Sequence, residues 1–252
     1  AVHLHYDQYA GIMPHIQCEK KMITSHYPYL ENPEPSCVFL YDFLKNSQSH
    51  IVSLSDRIKT EFIRRGIDGT NVSVLPCGID TQSYALDVDD VLFPDKSIVV
   101  GKIEPRKRQA HLQKQNLRID FVGNVSDQSF DTSDPSYLGE QSKQDIMDNL
   151  TAYANMVLLS SGEAHPFVCL EGLAAGLGLV LSEQSTANLD VSQPFITVIP
   201  DDKINDFDYL REKIEQNRMI SLSMRYKIRQ YCYENFDWLK IIKKYKEIIN
   251  SI

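Results

Sequence analysis

Short apolar runs alternate with amphipathic segments along the chain. The strand-like runs lie at residues 2–5, 21–25, 50–54, 71–76, 97–103, 117–123, 136–140, 155–161, 177–182 and 196–200. After the third run, Ser55 or Asp56 is predicted to cap a helix that ends at Gly66. Buried strands that alternate with helices in this way predict an α/β fold with parallel sheets and crossover helices.

An acidic segment divides these runs into two series. Residues 80–96 contain five Asp and one Pro, have weak periodicity of either kind, and are typical of an interdomain linker. We therefore predict a first domain at 1–92 and a doubly wound second domain at 93–234. A C-terminal helix at 235–252 is predicted to pack back toward the first domain.

The charge of the chain is unevenly distributed. Lys and Arg number 26 and Asp and Glu number 34, for a net charge of −8. The chain lacks the excess of positive charge that binding to duplex DNA requires, so no nucleic acid partner is expected. Lys and Arg nevertheless crowd the helical tail at 211–246. This basic face is either solvated or contacts an anionic lipid or substrate.

Cysteine and histidine spacing argues against metal and disulfide chemistry. The chain has no CxxC pair and no HExxH or similar zinc spacing, so neither a metal nor a disulfide framework is expected. No apolar run approaches 18 residues, and residues 1–11 lack the features of a signal peptide. We therefore expect a soluble, intracellular protein. The cysteines are Cys18, Cys37, Cys77, Cys169 and Cys232.

Ligands of open parallel sheets bind beyond the carboxyl ends of the strands, which makes the residues after each strand candidate sites. The segment 101–108, directly after a strand, holds four cations, including Lys102 and Lys107. Cations at that position would converge on phosphates. The alternative is a solvated basic turn, and the chain has no P-loop motif.

A second candidate segment follows the strand that ends near Ser161. It places Glu163 in a turn and Glu171 on an apolar helix, where both carboxylates could accept hydrogen bonds from ligand hydroxyls. The free N–H groups of the first helical turn, around Phe167 and Val168, would favour an anion. A purely structural role for both Glu residues is the alternative.

Two further turns follow strands in the first series. His26 comes after the second strand and could donate to a substrate hydroxyl or phosphate, although most of the seven histidines are expected to be surface or packing residues. The turn at 76–78 reverses the chain as it leaves the first domain, or lines an interdomain cleft.

Several segments, in this order, resemble the motifs of retaining GT-B glycosyltransferases of family GT4. SLSDRIKTEFIRRGI and NVSVLPCGIDTQSY are similar to the S-x-S and V-x-P-N-G-[VI]-D segments of the family, and VGKIEPRKR to its VGRLxPxKG. LRIDFVG resembles the L-x-[IF]-x-G strand, and SSGEAHPFVCLEGLAAG resembles the block that contains E-x7-E. The resemblance covers residue 50 to the end. It implies two Rossmann-like domains that face a cleft, the first of them truncated, with a helical C-terminal tail.

The resemblance also implies which residues bind the donor. Lys102 and Lys107 would hold the diphosphate of a nucleoside-diphosphate sugar. Amides near Phe167 and Val168 would complete the phosphate cradle, and Glu171 would contact the ribose. The family uses no cofactor and no catalytic metal.

The catalytic roles carried over from the family fall on two residues. Glu163 would contact hydroxyls of the transferred sugar, and His26 would approach the sugar and acceptor side. The implied function is hexosyl transfer to an acceptor hydroxyl in the synthesis of glycans, lipopolysaccharide or glycolipids. The implied location is the cytoplasm. Because the family often uses lipid-linked acceptors and the tail is basic, contact with the inner face of a membrane is a further expectation.

The sequence departs from the family pattern at several positions. Cys77 replaces Asn, Lys102 replaces Arg and Arg108 replaces Gly. Because lysine lacks the bidentate fork of arginine, phosphate binding is expected either to be weaker or to rely on Arg106 or Arg108. The opening strands and glycine-rich loop of the family are absent, so the first domain is expected to be incomplete. The alternative function is a degenerate GT-B module that binds a nucleotide or a partner protein without catalysis.

Overall fold

The structure, a computed structural model, describes residues 1–27 and 38–252. The chain forms two compact units. Unit 1 comprises residues 1–78 and 238–252, and unit 2 comprises residues 79–237. Cys37 lies outside the described residues.

The elements follow the alternation that the sequence predicts. The strands are β1 (Val2–Leu4), β2 (Lys21–Thr24), β3 (His50–Ser53), β4 (Val72–Val74), β5 (Phe93–Val100), β6 (Ile119–Val122), β7 (Tyr153–Leu158), β8 (Gly178–Ser182) and β9 (Ile196–Ile199). The helices are α1 (Val38–Asn46), α2 (Asp56–Arg64), α3 (Gln109–Gln113), α4 (Lys143–Asn149), α5 (Phe167–Ala174), α6 (Phe207–Phe236) and α7 (Trp238–Ser251).

Unit 1 is a four-stranded parallel sheet in the order β1-β2-β3-β4. The hydroxyl of Ser55 accepts a hydrogen bond from the amide of Ile58, which confirms Ser55 as the cap of α2. The helix α7 belongs to this unit, although 159 residues of chain separate it from the rest of unit 1. The ammonium of Lys20 donates to the carbonyl of Ile249 at 2.7 Å, which fixes the end of α7 beside the first strands.

Unit 2 is a five-stranded parallel sheet in the order β6-β5-β7-β8-β9. All six residues of β7 and all five of β8 are buried. Apolar residues from all five strands and from α3 and α6 form one core, which includes Phe121, Val157 and Leu210. The carboxyl ends of β5, β6 and β7 therefore lie at one edge of a rigid sheet.

Two sequence predictions differ from the structure. Residues 136–140 form no strand, because only Tyr137 bridges to Phe121 before Gly139 turns the chain with φ +80°. The predicted linker at 80–96 is part of unit 2, so the division falls at 78/79 and not near 93. The amide of Ala85 donates to the carbonyl of Met147, and β5 already begins at Phe93, so this segment packs on the unit despite its acidic composition.

The tail forms a 30-residue helix, α6, followed by α7. None of the helices in residues 1–27 and 38–252 combines the length and the apolar character needed to cross a bilayer.

Candidate functional site

The loops that follow β5 and β6 approach each other at the carboxyl edge of the unit 2 sheet. Gly101 has φ +128° and Gly123 has φ +144°, backbone conformations that side chains rarely allow. A Cβ atom on Gly123 would overlap the carbonyl of Gly101. The ammonium of Lys107 would lie 3.0 Å from a Cβ atom on Gly101, so it sits directly over the end of β5.

The loop that carries Lys102 and Lys107 is held by one buried side chain. The Gln109 side-chain amide donates to the carbonyl of Lys102 at 2.9 Å and accepts from the amide of Glu104 at 3.2 Å. Neither Lys102 nor Lys107 forms an ion pair within the described residues. Both cations are therefore available to an anionic ligand.

Arg106 links this loop to the loop after β7. Its guanidinium pairs with Glu104 at 2.6 Å and with Oε1 of Glu163 at 3.1 Å, and it also donates to Ser160. The side chain of Glu163 is 14% exposed, and among the described residues its Oε2 has no hydrogen-bond partner. Glu163 thus keeps one carboxylate oxygen for a ligand while Arg106 orients the other.

Sequence reasoning missed the Arg106–Glu163 pair. The sequence suggests Arg106 and Arg108 as further phosphate ligands, but in the structure both guanidiniums bind other groups of the protein. The guanidinium of Arg108 donates to the carbonyl of Leu159 at 3.1 Å and lies 3.9 Å from Asp201. The Glu at position 104, two residues before Arg106, is the sequence signal for a local ion pair.

The first turn of α5 offers unpaired amides at the same edge. Pro166 occupies the position before the helix and makes no side-chain cap. In the described part of the chain, the amides of Phe167 and Val168 have no hydrogen-bond acceptor. Free N–H groups at a helix start, aligned with the helix dipole, favour negative charge.

The buried thiol of Cys169, on α5, is affected by the charges of three predicted site residues. Burial raises the pKa of Cys169, the charges of Glu163 and Glu171 raise it further, and the charge of Lys107 lowers it. All three charges are therefore close enough to α5 to act on the same sulfur atom. By contacts, Arg106 joins the loop of Lys107 to Glu163, and α5, which carries Glu171, begins a few residues after Glu163.

Glu171 is held by a residue that sequence reasoning did not select. The buried Tyr84 donates its hydroxyl to Oε1 of Glu171 at 2.9 Å. Burial raises the pKa of Glu171, and the hydrogen bond from Tyr84 opposes that change. Tyr84 lies in the acidic segment 80–96, which the sequence predicts to be a linker, so sequence reasoning does not select it as a partner of Glu171.

His26 lies in unit 1, at the carboxyl end of β2. Its Nε2 is 3.4 Å from Nδ1 of His5, and the two rings stack with centroids 5.7 Å apart. Desolvation and the charge of His5 lower the pKa of His26, while Asp7 opposes the change. The ring of His3 lies 4.0 Å from that of His5. Sequence reasoning selected His26 but missed this three-imidazole cluster, because His26 is 21 positions from His5.

Within the described residues, the structure indicates neither a nucleophilic role for Cys77 nor a metal-binding cluster. None of Cys18, Cys77, Cys169 and Cys232 is in a disulfide. Burial raises the pKa of Cys77 to about 11, which disfavours a nucleophilic thiolate. Across residues 1–27 and 38–252, no three His, Cys, Asp or Glu side chains are grouped to hold a metal ion.

Comparison with known proteins identifies the fold. No protein-family model and no curated protein matches the chain. The chain is 15% identical to sucrose-phosphate synthase from Thermosynechococcus elongatus, with a TM-score of 0.75 over 99% of this chain and 72% of that one. It is 14% identical to HepE from Anabaena, solved with UDP and glucose, with a TM-score of 0.68 over 91% of this chain and 72% of HepE.

A third solved structure is the pneumococcal O-GlcNAc transferase GtfA in complex with UDP and GlcNAc. It is 16% identical, with a TM-score of 0.69 over 92% of this chain and 52% of GtfA. Together with the two parallel-sheet units, these matches confirm the α/β fold predicted from the sequence. The chain has the GT-B fold that these glycosyltransferase structures share.

Proposed function

We propose that the chain is a retaining, metal-independent glycosyltransferase of the GT4 type. It would move a hexose from a nucleoside-diphosphate sugar to an acceptor hydroxyl in the synthesis of a glycan, lipopolysaccharide or glycolipid. One observation carries the proposal: Lys107 lies over the end of β5, Arg106 of the same loop holds Glu163 after β7, and the open first turn of α5, the helix of Glu171, follows at that edge. The UDP complexes of HepE and GtfA support a nucleotide donor.

The donor diphosphate is assigned to the cationic loop and the helix start. Lys107 lies over the end of β5, and Lys102 is exposed beside it. The amides of Phe167 and Val168 face the same edge. Charge-assisted hydrogen bonds to phosphate are about twice as strong as neutral ones, so these groups would provide most of the binding energy.

The sugar and ribose are assigned to the two carboxylates. Glu163 would accept hydrogen bonds from hydroxyls of the transferred sugar with Oε2, while Arg106 fixes Oε1. Glu171, held by Tyr84, would accept from the ribose hydroxyls. Both carboxylates are oriented by protein donors before any ligand arrives, which lowers the entropic cost of binding.

The chemical step would rest on electrostatic stabilisation. Cleavage of the glycosyl–phosphate bond places negative charge on the leaving diphosphate, which Lys107 and the α5 amides would stabilise. The acceptor oxygen would attack from the same face as the leaving group and pass its proton to the departing phosphate. That course gives retention of configuration. His26 is assigned to the sugar and acceptor side, as the resemblance to the family implies.

The acceptor is assigned to a glycan or lipid-linked hydroxyl, as in the family that the motifs resemble. The resemblance places this reaction in the cytoplasm. Lysines on α7, among them Lys243 and Lys246, would then favour contact with an anionic membrane surface.

Donor binding tests this proposal directly. In a thermal-shift series with UDP-, GDP- and ADP-sugars, one donor should raise the unfolding temperature, because a ligand that binds only the folded state stabilises it. Lys107→Ala should weaken binding of the matching nucleoside diphosphate by about tenfold or more, as expected for loss of a charge-assisted hydrogen bond. Lys203→Ala removes an exposed lysine of the same unit, paired with Asp206, and should leave the affinity unchanged. Equal affinities of the two variants would contradict the phosphate assignment.

Metal independence is a separate prediction. Turnover of the sugar nucleotide should be unchanged after incubation with EDTA and removal of free metal, because Lys107 and helix amides replace a cation at the diphosphate. The measurement is the initial rate of nucleoside diphosphate release with and without the chelator. Loss of the rate on chelation, and its recovery on adding Mg²⁺ or Mn²⁺, would refute this part of the mechanism.

A further inference from the structure

A second group of cations lies at the opposite edge of the unit 2 sheet. Arg118, Arg211 and Arg218 line a cavity of about 420 Å³, together with Glu215. Arg118 directly precedes β6, and the other two arginines lie on α6. The strands begin at this edge and end at the candidate donor site. Their length, about 13 Å or more at 3.3 Å per residue, separates the two places.

Arg218 is buried and fixed, and all of its hydrogen-bond acceptors are neutral. It is 6% exposed. Its Nε donates to the hydroxyl of Ser97 at 3.0 Å, and its Nη2 donates to the carbonyls of Leu117 at 2.7 Å and Arg118 at 3.0 Å. Ser97 in turn donates to Asn155 at 2.5 Å, so the guanidinium is part of a buried polar network.

One nitrogen of the Arg218 guanidinium, Nη1, can still donate to an anion. Within residues 1–27 and 38–252, its Nη1 has no hydrogen-bond partner and no carboxylate lies within ion-pair distance of it. Burial of a cation without a counterion is costly. Burial lowers the pKa of Arg218, the charges of Glu215 and Asp95 raise it, and that of Arg118 lowers it. An anion in the cavity would supply the missing counterion.

The other two arginines are held only by exposed ion pairs. Arg118 pairs with Asp95 at 2.5 Å, with the side chains 61% and 52% exposed. Arg211 pairs with Asp208 at 3.0 Å, with the side chains 49% and 95% exposed. Exposed pairs contribute about 0–1 kcal/mol. Either arginine can therefore leave its partner for a stronger anion.

We propose that this cavity binds a phosphomonoester. Three guanidiniums and the carboxylate of Glu215 line the cavity. Arg118 and Arg211 are paired with Asp95 and Asp208, and these exposed pairs would yield to a phosphate dianion that also binds the free Nη1 of Arg218. Guanidinium groups bind phosphate oxygens through paired N–H donors, a geometry that lysine cannot supply. The volume exceeds that of a phosphate group, so it admits the attached organic part. Binding would tie the turn before β6 to α6 and so stabilise unit 2.

Calorimetric titration of the full chain with inorganic phosphate, at constant ionic strength set with NaCl, tests the proposal. Phosphate should still bind to the cavity in a saturable way in Lys107→Ala, a variant that removes the cation of the candidate donor site. Adding Arg118→Gln and Arg211→Gln to that variant should weaken phosphate binding about tenfold or more, since two charge-assisted contacts are lost. Arg57→Gln, an exposed arginine of unit 1, is the matched control and should change nothing.

Three results would overturn the proposal. They are the absence of saturable phosphate binding above the chloride background, equal affinity with and without the two Arg→Gln changes, and loss of all binding in Lys107→Ala alone. The last result would assign phosphate to the donor site. Urea unfolding of each variant verifies that the fold is intact, and Arg218 is left unchanged because its buried network holds α6 to the sheet.

Discussion

Replacing Glu163 by Ala should lower kcat/KM for sugar transfer by about 10²–10³-fold, the range seen when one preorganised polar contact to a reacting group is removed. The physical reason lies in the two oxygens of this carboxylate. Oε1 is fixed by Arg106 at 3.1 Å, and Oε2 remains for a sugar hydroxyl. The measurement is release of nucleoside diphosphate from the donor identified by thermal shift, in the presence of acceptor.

Glu104→Ala is the matched control for this prediction. Glu104 also pairs with Arg106, at 2.6 Å, but it is assigned no contact with the sugar. We expect Glu104→Ala to change kcat/KM by less than about tenfold, within the worth of one partly exposed ion pair. Similar losses in both variants would mean that Glu163 acts only by positioning Arg106. Absence of turnover in the wild type and in both variants would instead indicate a module that binds nucleotide without catalysis.

Gly123→Ala should lower the free energy of unfolding by about 3 kcal/mol or more, because it combines a glycine-only backbone region with a steric overlap. Gly123 has φ +144°, and an added Cβ would meet the carbonyl of Gly101. Relief of that overlap would separate the loops after β5 and β6 and displace Lys107, which lies over Gly101. Urea denaturation followed by circular dichroism measures the change.

Gly139→Ala separates the two causes of this effect. Gly139 also has a positive φ, +80°, but nothing lies within 4 Å of a Cβ built there. We expect Gly139→Ala to lower the free energy of unfolding by only about 1–2 kcal/mol, the cost of a left-handed backbone for an alanine. If the two variants lose the same amount, the close approach of the loops contributes nothing to stability. The nucleoside diphosphate affinity should fall in Gly123→Ala alone.

The sequence predicts the strands of this protein because burial leaves a local signature. The fully buried β7 and β8 appear as mostly apolar runs, and Ser55 marks the start of α2 by a side-chain hydrogen bond within one turn. The acidic residues of segment 80–96 are typical of a linker, so its composition does not predict that it packs on unit 2. What places this segment on unit 2 is long-range contact, such as the hydrogen bond from Tyr84 to Glu171, and such contacts leave no periodic pattern.

The candidate site was predicted as a set of residues but not as a network. The positions of Lys107, Glu163 and Glu171 after strands of one parallel sheet follow from general topology. The pairing of Arg106 with Glu163 spans 57 positions, and only the folded structure shows it. The same holds for Arg218, whose burial depends on a helix that crosses the strands about 100 residues later.

The division of the chain also sets an order of assembly on the ribosome. Unit 2 is one uninterrupted stretch, so it can fold as soon as residue 237 leaves the exit tunnel. Unit 1 lacks α7 until residues 238–252 have been translated, and the hydrogen bonds from Lys20 to Ile249 and between His3 and Tyr245 form only after that. The half translated first is therefore completed last. Its partly apolar sheet must remain free of aggregation while the other half matures.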